Sequence, residues 1–163
     1  MISKLIILLC LSVMFGHAHA DVKGRVIRVV DGDTIILQEV NGKIIKVRLL
    51  GIDAPELDQP FGYESSALLT SFVENQMVYV ASNKKDRYQR LLGKVLMKEK
   101  DINYQLIKNG YAWHFKRYSS NQEKNDVLLY ADAEKEAQQF RRGLWKALSP
   151  TPPWEWRKKS VKN

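Results

Sequence analysis

Three short clusters hold side chains whose types and spacing could do chemistry. They are Asp31-Gly32-Asp33-Thr34, Arg48-Leu49-Leu50-Gly51-Ile52-Asp53-Ala54-Pro55-Glu56 and Asp86-Arg87-Tyr88-Gln89-Arg90. Asp supplies hard oxygens suited to calcium or magnesium. Arg is the side chain that grips a phosphate with two parallel hydrogen bonds. A Glu just beyond a proline-fixed turn could hold a water. Each cluster also has a plainer reading: a turn, a strand end with a surface ion pair, and a solvated basic loop. The first is not an EF-hand, because Ile35 and Gly42 stand where that loop needs oxygen ligands. Together, however, the three contain every part needed for metal-assisted cleavage of a phosphodiester. Beyond residue 20 the chain has one histidine, His114, which disfavours a histidine acid or a zinc cage. His114 reads more simply as satisfying a local hydrogen bond. Trp113 and Phe115 suit a core as well as a stacking platform.

The elements that must position these clusters are legible from periodicity. Val/Ile-rich strands are expected at 22–30, 35–40 and 43–50, the last two joined by the hairpin signal Asn41-Gly42. Ile45, Val47 and Leu49 alternate with Lys46 and Arg48, which gives the third strand one buried face. Gly51 then permits a bend. Residues 57–62 read as a short loop with Pro60 and Gly62. A helix is expected over 64–76, with Leu68, Leu69, Phe72 and Val73 at helical spacing. Strands are expected at 77–81 and 91–97, separated by the polar, basic loop 82–90. Asp101 can cap a helix running to 109, stopped by Gly110. Residues 111–118 alternate aromatic and basic types without a clear period. Leu129, Ala133, Ala137, Phe140 and Leu144 mark one face of a last helix ending at Gly143. Pro150, Pro152 and Pro153 are expected to exclude further regular structure, with Trp154-Glu155-Trp156-Arg157 folding back and 158–163 frayed. The elements predict an α+β fold: a closed five-stranded barrel with three α-helices.

The first 20 residues read as an export signal: Lys4, an apolar run over 5–15 and the small-x-small pattern Ala18-His19-Ala20. The expected division is signal peptide 1–20, a single folded domain over 21–148 and a Pro/Trp/basic tail over 149–163. Periplasmic or secreted localisation follows, with no stable membrane anchor after cleavage. The one cysteine, Cys10, falls in the signal, so neither a disulfide nor a thiolate site is expected beyond it. The 163-residue chain carries 26 Lys and Arg against 18 Asp and Glu, and removing Lys4 leaves 25 against 18, about +7. Such a surplus suits an anionic polymer: nucleic acid, acidic glycan or a membrane surface.

The ordered recurrence of the three clusters, with Gly143-Leu144-Trp145 after the last helix, resembles the thermonuclease family, the staphylococcal (micrococcal) nuclease-like enzymes. The Pro-Pro-Trp-Glu-Trp-Arg ending resembles that of exported Gram-negative members. The resemblance implies an OB-fold-like Greek-key β-barrel and Ca²⁺-dependent cleavage of DNA and RNA at the 5′ P–O bond, leaving 3′-phosphate ends. It implies that Asp33 and Asp53 hold Ca²⁺ through carboxylates, and Ala54 through its backbone carbonyl. Glu56 would hold and deprotonate the attacking water. Arg48 and Arg90 would grip the scissile phosphate, Arg90 also toward the leaving side. Arg87, Tyr88 and Tyr118 match substrate contacts, and a monomer is expected. Two departures stand out: Lys116 replaces an expected aromatic, and the loop after Glu56 is shorter and lacks a lysine pair.

Two rival readings remain. A catalytically inactive OB-type nucleic-acid-binding module needs neither Glu56 nor the two Asp residues. A glycan- or membrane-binding adaptor accounts for the charge but leaves the Arg48–Glu56 corner unexplained.

Overall fold

The computed structural model describes residues 21–160. The expected signal peptide, and the last three residues of the expected frayed end, lie outside them. In chain order the elements are β1 (Val22–Asp31), β2 (Thr34–Glu39), β3 (Ile44–Leu49), β4 (Ile52–Asp53), α1 (Gly62–Val73), β5 (Met77–Lys85), β6 (Leu91–Met97), β7 (Lys100–Asp101), α2 (Ile102–Lys108), β8 (Trp113–His114), α3 (Lys124–Gln139) and α4 (Pro153–Ser160). Single 3-10 segments cover Lys116–Asn121 and Gly143–Lys146.

Alternation drives the architecture. Val26, Ile35, Leu37, Val47, Leu49, Val78, Val80, Leu91 and Val95 point inward and are buried. The strands run in the order β3-β2-β1-β5-β6, with neighbours antiparallel. A parallel pairing of β3 with β6, Val47 beside Leu91 and Arg48 beside Leu92, closes them into a five-stranded barrel. Closure removes exposed strand edges. The fold is the α+β, OB-fold-like barrel expected from the sequence. Leu69 and Val73 of α1, with Ile102, Leu106 and Ile107 of α2, extend the core below the barrel.

Several expectations needed correction. Strand β5 runs on to Lys85, because Lys84 and Lys85 pair with Leu92 and Leu91 across a register shift. Residues 111–118 hold β8, which pairs with β4 at Ile52–His114 and Asp53–Trp113. On α3 the buried face is Tyr130, Ala133, Glu134 and Ala137, while Leu129 and Phe140 are exposed. Both candidate faces share Ala133 and Ala137; the Tyr130 hydroxyl settles the rotation by donating to Asp101 Oδ2 at 2.8 Å. A fourth helix, α4, exists where the prolines suggested none. The amides of Glu155 and Trp156 donate to the Pro152 carbonyl at 3.0 Å, so Pro153 occupies the first helical position. A proline there loses no hydrogen bond and starts a helix instead of breaking one. Glu155 in the first turn and Arg157, Lys158 and Lys159 in the last complement the helix dipole.

Candidate active site

The Asp33 turn and the β3–β4 corner meet because strand pairing brings them together. Thr34 lies beside Arg48 across the β2–β3 ladder, and the Leu49 amide donates to the Asp33 carbonyl at 2.9 Å. Gly32 is packed so closely that an added Cβ would lie 2.2 Å from Ser65 Oγ and 2.6 Å from Ala54 Cβ. Behind the corner, the buried Asn103 side chain stitches β3 to β6. Its amide nitrogen donates to the Leu50 and Gly93 carbonyls at 2.8 and 3.2 Å, and its oxygen accepts from the Val95 amide at 3.0 Å.

Four of the expected residues converge on this corner. Arg48 places Nη1 2.5 Å from Asp33 Oδ2 and Nη2 2.8 Å from Asp53 Oδ1. Asp33 Oδ2 also accepts from the Ala54 amide at 2.7 Å, and Ala54 itself is buried. Burial pushes the Asp33 carboxyl well above its ordinary value; the Arg48 charge opposes this, while Asp31 and Asp53 add to it. Burial likewise works against the charge on Arg48, but Asp33, Asp53 and Asp31 outweigh it and raise its pKa.

Glu56 stands at the edge of the same corner, half-buried. Its loop is fixed by Gln59, which the sequence did not single out. The Gln59 amide donates to the Glu56 carbonyl at 2.9 Å, and the Glu56 amide donates to Gln59 Oε1 at 3.2 Å. Gly62 must be glycine for the loop to close, since a Cβ there would lie 1.8 Å from the Glu56 carbonyl oxygen.

The third cluster forms a separate unit in the turn between β5 and β6. In the parallel β3–β6 pair Arg48 lies beside Leu92, and Arg90 stands in the loop just before β6. Arg90 Nε donates to Asp86 Oδ2 at 2.7 Å. Partial burial opposes the Asp86 charge, but hydrogen bonds and charge from Arg90 hold its pKa below the usual carboxylate range. The Tyr88 ring lies 4.7 Å from the Arg87 guanidinium and 5.5 Å from that of Arg90, and it is exposed. Tyr118 is exposed elsewhere, edge-on to Phe115. Lys116 is paired with the buried Glu134, which also accepts the His114 amide at 2.9 Å.

The contribution that sequence reading missed comes from α4. Arg157 donates to Asp53 Oδ2 at 2.7 Å, to Asp53 Oδ1 at 3.2 Å and to Glu56 Oε1 at 2.6 Å. The signal was in the tail motif itself, whose aromatic residues dock the helix: Trp154 packs near Trp113 and Phe115, at 5.6 Å from each.

Among the described residues no cluster of three or more His, Cys, Asp and Glu side chains stands together as a ready metal cage. The donor set nevertheless fits a hard divalent cation with open coordination. Asp33 and Asp53 are buried on one guanidinium, and Asp31, Asp33, Asp53 and Glu56 together outnumber Arg48 and Arg157. A cation would offset the negative charge that burial penalises on Asp33.

Residues 46–147 match the family model described as staphylococcal nuclease homologue. A protein of Escherichia coli O157:H7 named "uncharacterized endonuclease" is 39% identical over 139 residues, covering 85% of this chain and 86% of its own. A "micrococcal nuclease" of Shigella flexneri is 38% identical over 152 residues, covering 88% and 84%. A "staphylococcal-like nuclease" of Arabidopsis thaliana is 38% identical over 121 residues, 74% of this chain and 36% of that one. The chain belongs to the staphylococcal nuclease homologue family, a family of nuclease hydrolases.

Proposed function

We propose that this nuclease is an exported, monomeric, Ca²⁺-dependent phosphodiesterase that hydrolyses DNA and RNA at the 5′ P–O bond and leaves 3′-phosphate ends. The observation that carries this reading is the meeting of Asp33, Arg48, Asp53 and Glu56 at one corner of the barrel. Asp33 and Asp53 would hold the ion, with the Ala54 carbonyl beside them. When bound, the ion would draw negative charge from the phosphoryl oxygens and increase the acidity of nearby water.

The protein's own groups divide the rest. Glu56 orients a water and takes its proton as oxygen attacks phosphorus. The bond from phosphorus to the 5′ oxygen then breaks, and the 5′ oxygen leaves to take up a proton. Arg48 and Arg90 hold the phosphate through fork-shaped donors and stabilise the charge gathering on it. Arg87, Tyr88 and Tyr118 would contact flanking nucleotides. Hydrolysis at a useful rate needs on the order of 20 kcal/mol of barrier reduction, and charge stabilisation addresses the largest part.

Purified residues 21–163, incubated with DNA and RNA in Ca²⁺, Mg²⁺ or chelator, should cleave both polymers in Ca²⁺ and neither in chelator. Products should resist ligation until a phosphatase removes the 3′-phosphate and a kinase phosphorylates the 5′-hydroxyl. Full activity in chelator would eliminate the metal mechanism. Tight binding without cleavage in every cation would favour the inactive binding barrel.

A further inference from the structure

Arg157 takes up both oxygens of Asp53 and one of Glu56. We propose that it is a tail-borne counter-cation of the metal site, occupying the carboxylates in the ion-free protein, so that a divalent cation binds in competition with it. This rests on the metal-dependent reading given above.

Three observations carry the inference. First, Asp53 Oδ1 already accepts from Arg48 Nη2, so Arg157 brings a second guanidinium to one fully buried carboxylate. A divalent ion on Asp53 would face both cations at close range, and the more loosely held one must yield. Second, the two differ in freedom: the Arg48 side chain is 14% exposed and Arg157 is 45% exposed. Arg48 is held within the barrel wall, whereas Arg157 reaches in from outside and has solvent to swing into. Third, the helix that delivers Arg157 is fastened around the site. Thr151 accepts from Gln59 Nε2 at 2.6 Å, and Trp156 Nε1 donates to Asp58 at 3.2 Å. The guanidinium is therefore presented to the carboxylates by a docked element. The same contact ties up Glu56, whose Oε1 accepts from Arg157 at 2.6 Å. One displacement frees a metal ligand and the water-holding group together.

The test is calcium binding without nucleic acid. Metal-stripped wild type, Arg157→Ala and Lys158→Ala would each be titrated with CaCl₂ by calorimetry. Lys158→Ala removes the same charge one residue further along the exposed tail and reports the general electrostatic effect. Competition requires the calcium Kd of Arg157→Ala to fall at least threefold below both other proteins. Equal affinities, or an equal gain in Lys158→Ala, would overturn it while leaving the metal site intact. Absence of calcium binding in all three would remove the metal reading and the competition with it. A direct readout is the Arg157 Nη–H signal, assigned by its loss in Arg157→Lys. It should be protected from exchange in chelator and lose that protection at saturating Ca²⁺; protection unaltered by Ca²⁺ would also overturn the proposal.

Discussion

At the scale of single residues, two side chains give the sharpest tests. Glu56→Gln keeps size and polarity but removes the ability to take a proton, so turnover of a DNA substrate should fall about 10²–10⁴-fold while binding persists. Single-turnover cleavage with a parallel binding isotherm checks both halves, and unchanged turnover would reject Glu56 as the base. His114 gives a pH test of stability. Burial lowers its pKa below the ordinary 6.5; Lys116 adds to this, and Gln122 and Glu134 oppose it. Because the folded value is the lower one, protonation favours the unfolded chain. Its contribution is intact above about pH 6.5 and is lost as pH falls toward the folded value, by no more than about 1.4 kcal/mol per pH unit. Asp33, raised by burial, tilts stability the other way. The prediction is therefore a difference: urea unfolding of wild type and His114→Gln should diverge as pH drops from 7 to 5, with the wild type showing the steeper loss.

At the scale of elements, the barrel corner depends on the strut from α2. Asn103→Ala would orphan the buried Val95 amide and the Leu50 carbonyl, while the Gly93 carbonyl keeps the Leu50 amide, costing roughly 3 kcal/mol in denaturant unfolding. A loss of a few tenths would show that water replaces the strut. The elements also divide by legibility. Strands β1 to β3 declared themselves because alternation and Asn41-Gly42 are local signals. Helix α4 did not, since a proline forbids the interior of a helix and favours its first position, and only the neighbours decide which applies. The buried face of α3 was ambiguous for a similar reason: Leu129 and Tyr130 compete, and the partner Asp101 is 29 residues from Tyr130.

At the scale of the whole molecule, the positive surplus sets how it meets its substrate. Binding of Glu56→Gln to duplex DNA in chelator should weaken by about 10-fold to 10²-fold between roughly 50 and 200 mM salt, as expected for several displaced counterions. Salt-independent affinity would argue against a phosphate-tracking face. Barrel closure matters at this scale too. The β3–β6 pairing sets Arg48 beside Leu92, so the basic loop leads directly into the strand next to the corner.

The sequence by itself determined the barrel strands, the family resemblance and which side chains gather at the β3–β4 corner, because ligand-type residues and strand alternation are written in nearest-neighbour order. Which way Arg48 spends its guanidinium, which face of α3 is buried, and that the tail returns to place Arg157 on Asp53 and Glu56 were decided only by tertiary structure. Those contacts span about a hundred residues in the case of Arg157, and no local spacing can encode a partner that only closure of the fold brings near.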